Sequence, residues 1–166
     1  MSQITLRLIA PFLAGALMAV SCSSSKNAVS VPPREGVKGN WILNTITYEG
    51  LSSAQKLKIT LLDEGGEACL TGSTWILPNN GYGSYTINST ASGCTAGQRN
   101  IVWSYQKNGD QAILQYKRLE GGVKAKDIAD GYKFKLLSVD ESSMRLQSEV
   151  SFEGKPLYIN YNFSKQ

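Results

Sequence analysis

From Gly39 onward, apolar and polar residues alternate with a period of two over much of the chain. Leu57, Ile59 and Leu61 alternate with Lys58 and Thr60, and Ile101, Trp103 and Tyr105 follow the same rule, as do Ala112, Leu114 and Tyr116. Tyr132, Phe134 and Leu136 interleave with Lys133 and Lys135. Met144, Leu146, Ser148, Val150 and Phe152 interleave with Arg145, Gln147, Glu149 and Ser151. Leu157, Ile159, Tyr161 and Phe163 close the series against Tyr158, Asn160, Asn162 and Ser164. Successive strand side chains point to opposite faces, so this alternation means one buried face and one wet face. No segment of comparable length carries a 3.6-residue stripe, although Val123–Ala129 has room for one or two helical turns.

The punctuation between these runs agrees with strands. Asn79-Asn80-Gly81, Asn108-Gly109 and Glu153-Gly154-Lys155 each sit between two alternating segments. Gly and Asn accept positive φ cheaply, as hairpin turns require. The pattern predicts antiparallel strands near 41–48, 56–62, 69–77, 82–89, 99–106, 111–117, 132–138, 143–152 and 156–164. Sequential hairpins make a meander, and a long meander removes its exposed edges by closing on itself. The expected fold is all-β: an antiparallel up-and-down barrel of eight or nine strands.

The first 21 residues depart from this pattern. Arg7 precedes an uncharged, mostly apolar run from Leu8 to Val20. A membrane-spanning helix takes about 20 apolar residues. The run is shorter and fits the core of a signal peptide over residues 1–21. It ends Ala19-Val20-Ser21-Cys22, which resembles the lipobox of bacterial lipoproteins, with Ala19 standing where Leu is usual. That resemblance implies cleavage before Cys22 and acylation of Cys22; the alternative is an ordinary signal peptide and a free thiol. Two or three acyl chains anchor a protein stably where a single chain binds marginally. Ser23 is not the Asp of inner-membrane retention, and no acidic run follows Cys22. By the same resemblance, the chain is expected in the cell envelope at the outer membrane, on its periplasmic face.

Residues 22–38 are polar and include Pro32-Pro33, so they are expected to form a flexible tether, with the barrel domain over 39–166. Removing residues 1–21 from 166 leaves 145 residues, enough for one domain with one core. Arg7 leaves with the leader, so the formal net charge falls from +4 to +3. So mild an excess gives no argument for nucleic acid. Lys117, Arg118, Lys124, Lys126, Lys133 and Lys135 cluster in sequence and read as a solvated face, with contact to anionic lipid headgroups as the alternative.

Histidine is absent. That removes Ser-His-Asp and Cys-His nucleophile systems, His general bases and His-ligated zinc. Asp63, Glu64 and Glu67 lie beside Gly65-Gly66, but their spacing matches no calcium loop, and a solvated turn is the expectation. Asp140-Glu141 reads the same way, and Asp127 and Asp130 as caps of a short helix. No cofactor, no metal site and no enzymatic activity are expected. Cys69 and Cys94 form an even pair in an exported chain, which predicts a disulfide over two free thiols.

The domain opens Gly39-Asn40-Trp41, which resembles the Gly-x-Trp signature at the first strand of lipocalins. Cys69-Leu70-Thr71-Gly72-Ser73-Thr74-Trp75 is similar to the Cys-x-x-x-Ser-x-Trp block of bacterial lipocalin-like lipoproteins, and Cys94 followed by Ile101-Val102-Trp103 extends the likeness. The resemblance implies an eight-stranded barrel plugged at one end by Trp41, with a late-strand Arg packed over it. Arg145 is the best-placed candidate, though its strand position faces outward. The Thr-Asp-x-x-Tyr element of larger lipocalins is missing, which argues against a deep pocket.

Trp41, Trp75, Trp103, Tyr116, Phe134 and Tyr161 read inward, as core packing or as the lining of a ligand cavity. A barrel of this size is filled by side chains or holds one small ligand. Two functions follow. The first is a membrane-anchored, lipocalin-like protein binding a small hydrophobic or amphipathic ligand. The second is a filled barrel that docks an envelope protein partner through its rim, with Leu119–Gly131 as the candidate contact.

Overall fold

The computed structural model describes residues 30–50, 60–129 and 131–166. Eight antiparallel strands close into one barrel: β1 (Gly39–Glu49), β2 (Thr74–Leu77), β3 (Tyr82–Ile87), β4 (Gly97–Asn108), β5 (Gln111–Leu119), β6 (Tyr132–Val139), β7 (Ser143–Phe152) and β8 (Lys155–Lys165). Each pairs with its sequence neighbours, and β8 closes on β1 from Trp41↔Lys165 to Glu49↔Tyr158. The predicted architecture is the one found, with eight strands as the count.

The alternation is the reason for the wall. In β7, Met144 and Leu146 are buried while Arg145 between them is exposed. In β8, Leu157, Ile159, Tyr161 and Phe163 all face the core. The β7–β8 hairpin turns on Glu153 (φ 50) and Gly154 (φ 76), the two positive φ values that match the right-handed twist of the flanking strands.

Three expectations need correction. Residues 56–59 of the strand expected near 56–62 lie outside the described residues, and over 60–62 Leu61 makes only an isolated bridge to Glu64. The strand expected over 69–77 begins only at Thr74, because Cys69 and Leu70 are buried by a helical turn, α2 (Glu67–Leu70), rather than by alternation. The chain then swings round Gly72, whose N–H donates to the Leu43 carbonyl at 2.7 Å.

The stretch expected to be a flexible tether as far as Lys38 is structured before that residue. An earlier helical turn, α1 (Arg34–Val37), lies across the barrel end where β1 starts. Val37 is fully buried, the Tyr105 hydroxyl donates to the Pro32 carbonyl at 2.6 Å, and Arg34 donates to Asn79 Oδ1 at 2.7 Å. An apolar Val37 and a hydrogen-bonded backbone turn this polar stretch into a plug. Residues 1–29 lie outside the described residues, and with them Cys22 and the signal peptide expected over 1–21.

Candidate functional site

At the plugged end the connections are short: Pro78–Gly81 between β2 and β3, Gly109–Asp110 between β4 and β5, and Asp140–Ser142 between β6 and β7. Trp41 is fully buried there and donates its indole N–H to the Val37 carbonyl at 2.9 Å. The cation over its ring is Lys165, at 5.1 Å, and Arg145 is exposed on β7. The bulge between Leu43 and Thr45 shifts the β1–β8 register, and at that end Trp41 pairs with Lys165. Trp103 is buried near the same end, donating to the Pro78 carbonyl at 3.1 Å with Arg34 stacked on it at 4.9 Å.

Above this plug the interior is filled by aromatic rings. Trp75 stacks on Tyr85 at 4.5 Å and meets Tyr116 and Phe163 edge-on at 5.5 and 5.7 Å. Tyr116 continues to Phe134 at 5.9 Å, and Phe134 to Tyr161 at 5.3 Å. Offset and edge-to-face pairs of this kind contribute about 0.5–1.5 kcal/mol each beyond the area they bury. Burial pushes the Tyr116 hydroxyl well above the ordinary tyrosine range, and that hydroxyl has no hydrogen-bond partner among the described residues. Of the six inward residues singled out from sequence, Trp75, Tyr116, Phe134 and Tyr161 therefore sit in one continuous stack, and Trp41 and Trp103 in the plug.

The opposite end, the mouth, carries the β7–β8 hairpin and, from the three long connections, the described residues 60–73, 88–96, 120–129 and 131. The Cys69–Cys94 disulfide fastens the first of these connections to the second. Within the first, Leu62 (φ 54) and Asp63 (φ 56) both adopt the left-handed conformation, which is uncommon outside glycine. Glu64 N–H donates back to the Leu61 carbonyl at 2.8 Å. This tight turn buries Leu61 and Leu62, leaves Asp63 facing outward and sends Glu64 inward.

Glu64 is the functional-looking residue that sequence reasoning missed: it is 5% exposed, not a member of a solvated turn. It accepts from the Tyr85 hydroxyl at 2.8 Å and from Arg99 Nε and Nη2 at 2.9 and 3.0 Å, and it lies 3.4 Å from Arg118 Nη1. A buried carboxylate persists only when paired in this way. Burial, then the bond to Glu64, holds the Tyr85 hydroxyl protonated far above its usual range. The signal available beforehand was an acid beside Gly65-Gly66, and nothing in that spacing says which of three acids turns inward.

Next to this cluster lies a cleft of about 410 Å³, lined by Asp63, Arg118, Glu120, Val123, Ile128 and Tyr132, among others. Most of its wall is apolar. The Tyr132 hydroxyl donates to Asp63, and Arg118 Nη2 forms an ion pair with Glu120 at 2.9 Å. The β5–β6 connection that forms one side is held by Lys117, whose ammonium donates to the Ile128 carbonyl at 2.6 Å. Lys117 and Arg118 thus work within the fold, where sequence read them as a solvated face. The one helical turn in this connection is Ala125–Asp127, with no side-chain cap; Asp130 lies outside the described residues.

A second, more polar cleft of about 740 Å³ opens on the outer wall where β6 and β7 part, beyond the Lys135↔Gln147 pair. Phe134, Lys133 and Lys135 are among its lining residues. No group of three or more acidic or cysteine side chains is gathered as a metal site among the described residues.

A family model described as a lipocalin-like domain matches residues 37–146, from the last residue of the plug to the start of β7. No curated protein and no solved structure matches the chain.

Proposed function

The chain belongs to the lipocalin-like domain family, and from that premise we propose that it is a lipid-anchored protein of the cell envelope that holds a small apolar or amphipathic ligand at the mouth of its barrel. The observation that carries this reading is the half-open, mostly apolar mouth cleft above a filled interior. Its volume lies within the range of roughly 300–1,000 Å³ typical of small-molecule sites. Val123, 47% exposed, offers apolar surface at the rim. The ligand would lie over the aromatic stack, not between its rings.

The anchor sets the orientation. Cys22 precedes Ser30 by eight residues, a span of at most about 28 Å when fully extended. The chain reaches the barrel at its plugged end. With the mouth against the bilayer, Ser30 would have to stand about 30 Å above it, taking β4 at 12 residues, about 3.3 Å per residue and a tilt of roughly 40°, with the mouth loops adding further height. A fully extended tether therefore falls short of letting the mouth lie flat against the host membrane.

The test uses the mature chain carrying Cys22→Ser and a neutral fluorescent probe, N-phenyl-1-naphthylamine. The expected result is saturable binding that Val123→Asp with Ile128→Asp abolishes while the melting temperature stays unchanged. Probe binding indifferent to that pair of substitutions sinks the reading. Membrane fractionation and intact-mass analysis of the native chain against Cys22→Ala check the anchor separately.

The filled interior favours a second reading, in which the Leu119–Gly131 connection docks an envelope protein. A partner recovered by crosslinking from this connection in the native envelope would support it.

A further inference from the structure

Four large apolar side chains stand exposed among the described residues, and two of them adjoin. Val123 and Val150 lie toward the mouth. Ile76, 49% exposed, and Tyr82, 63% exposed, sit on neighbouring strands on the outer face of the wall. Ile76 pairs with Ser84, two residues from Tyr82, and such diagonal neighbours are within reach of an aromatic side chain. Tyr82 pairs in turn with Val102, which is partly buried and points outward. The three form an apolar row across β2, β3 and β4. The outward positions of those strands, and of β1 from Asn40 to Thr47, carry no charged side chain. Beyond Val102 the next outward residue is Lys117, whose ammonium is turned to the Ile128 carbonyl. On the far side of the barrel, β6 and β7 turn Lys133, Lys135, Arg145 and Glu149 outward.

The place of this row in the molecule points to its occupant. It lies beside the Pro78–Gly81 turn, to which α1 is bound: Arg34 donates to the Asn79 side chain at 2.7 Å and to the Asn79 carbonyl at 2.9 Å. In the same turn the Asn80 side chain accepts from the Tyr82 N–H at 3.0 Å. Ser30, where the described chain begins, precedes Arg34 by four residues. The residues from Cys22 to Ser30 therefore join the domain close to the row, and they allow Ser30 no more than about 28 Å from an acylated Cys22. A surface held that near a bilayer meets it at high effective concentration, so a weak contact is enough. Tyrosine suits that contact, since its ring is apolar and its hydroxyl wet, and such side chains gather at headgroup level in membrane proteins. A wall without charges gives up no ionic hydration when it is pressed there.

We propose that the uncharged outer wall of β2–β4, centred on Ile76, Tyr82 and Val102, lies in the interfacial layer of the host membrane. The Tyr82 ring and the Ile76 side chain enter among the upper acyl groups, and the asparagine, serine and threonine side chains around them meet the headgroups. The barrel then rests on the bilayer by one wall and does not hang free on its anchor. The lysine-bearing wall faces away, because β7 stands opposite β3 in the ring of eight strands. The contact uses no charge and so needs no anionic lipid, unlike the headgroup contact weighed for the lysine cluster. This inference rests on the anchored reading and adds which face of the domain meets the lipid.

For the test, the mature chain is coupled through the Cys22 thiol to a maleimide-bearing lipid in phosphatidylcholine vesicles, Cys69 and Cys94 being joined to each other. Two fluorescent reporters are compared, Tyr82→Trp on this wall and Lys135→Trp on the opposite one. Trp41, Trp75 and Trp103 are buried and give a constant background. Phosphatidylcholine brominated high on its acyl chains is expected to quench the reporter at position 82 at least about threefold more strongly than the one at position 135. Adding Ile76→Asp to the first reporter is expected to abolish that difference with the melting temperature unchanged, since the side chain is exposed. The difference is expected to persist in about 1 M salt, where charges are screened beyond about 3 Å. Equal quenching of the two reporters, or quenching that needs phosphatidylglycerol and fades in salt, overturns the assignment of this face. A blue shift at position 82 that grows with protein concentration without vesicles gives the wall to a second copy of the chain and overturns it too. The coupling supplies the anchor chemically, so these outcomes are separate from acylation of the native chain. Fractionation against Cys22→Ala decides that point, and a native chain without acyl groups removes this inference together with the anchor.

Discussion

Where β1 begins, three short turns, a docked helical turn and two buried tryptophans leave the barrel shut. Where β1 ends, three long connections surround an ion cluster, a disulfide and an open cleft. The plug is held by apolar burial, a few hydrogen bonds and two cations over its tryptophan rings. The mouth is held by a cross-link and by charges that need one another. One end is thereby a foundation, and the other a surface whose chemistry can vary without unmaking the wall. Small domains have little stability to spare, about 5–15 kcal/mol in total, so the two ends should respond differently to substitution.

The sharpest test of the plug is Trp41→Ala. Emptying a fully buried tryptophan should lower the unfolding free energy by about 3–5 kcal/mol, read by urea denaturation, with ligand-probe affinity unchanged in the folded fraction. A loss below about 1 kcal/mol would show that the plugged end is not where stability resides.

The mouth has its own large test. Replacing Cys69 and Cys94 together by Ser should cost about 3.5 kcal/mol, the chain-entropy value for a closed loop of 25 residues. Amide exchange should rise first in residues 60–73 and 88–96, ahead of the plug. Uniform exchange across both ends would erase the distinction drawn here.

Glu64→Gln should have a somewhat smaller effect, about 2–3 kcal/mol. Removing one partner of a buried pair costs about 3–5 kcal/mol, but Arg99 and Arg118 are 15% and 23% exposed and recover some hydration. Arg99→Met in the Glu64→Gln background should restore part of that loss, because it removes a guanidinium left short of a partner.

The smallest effect is at the plugged end, in the Asp140–Ser142 turn. Backbone and hydroxyl donors of Ser142 and Ser143 hold the Asp140 carboxyl down at about 2, below its ordinary 3.8. A lowered folded-state value means the stabilisation is present above the unfolded value and is lost as pH falls through about 2. Asp140→Asn should flatten the acid side of the melting-temperature profile slightly, and a carbon-detected titration of Asp140 measures the shift directly.

Legibility from sequence tracks how local each determinant is. The strand read over 143–152 agrees with β7 end to end, because period-two alternation is a property of the strand itself. The Cys69–Cys94 pairing was legible because, with Cys22 set aside as the expected acylation site, two cysteines allow one pairing. The run from Cys69 to Leu77 misled because Cys69 and Leu70 are buried by one helical turn, and a short apolar stretch does not distinguish that from strand. Lys165, to which sequence reading gave no role, lies over Trp41 in place of Arg145 because that cation is set by the register of β8 on β1, which a bulge shifts. Glu64 was hidden because its burial is made by Tyr85, Arg99 and Arg118, all distant in the chain.

By itself, the sequence determined the class of fold, its up-and-down order and the cross-link, since alternation, turn chemistry and cysteine count are written residue by residue. Only the tertiary structure decided that the interior is filled, that the residues before β1 form a plug, and that the mouth carries a net-negative, mostly apolar cleft. Those outcomes depend on which side chains meet when the wall closes, and closure brings together residues whose spacing along the chain carries no record of the encounter.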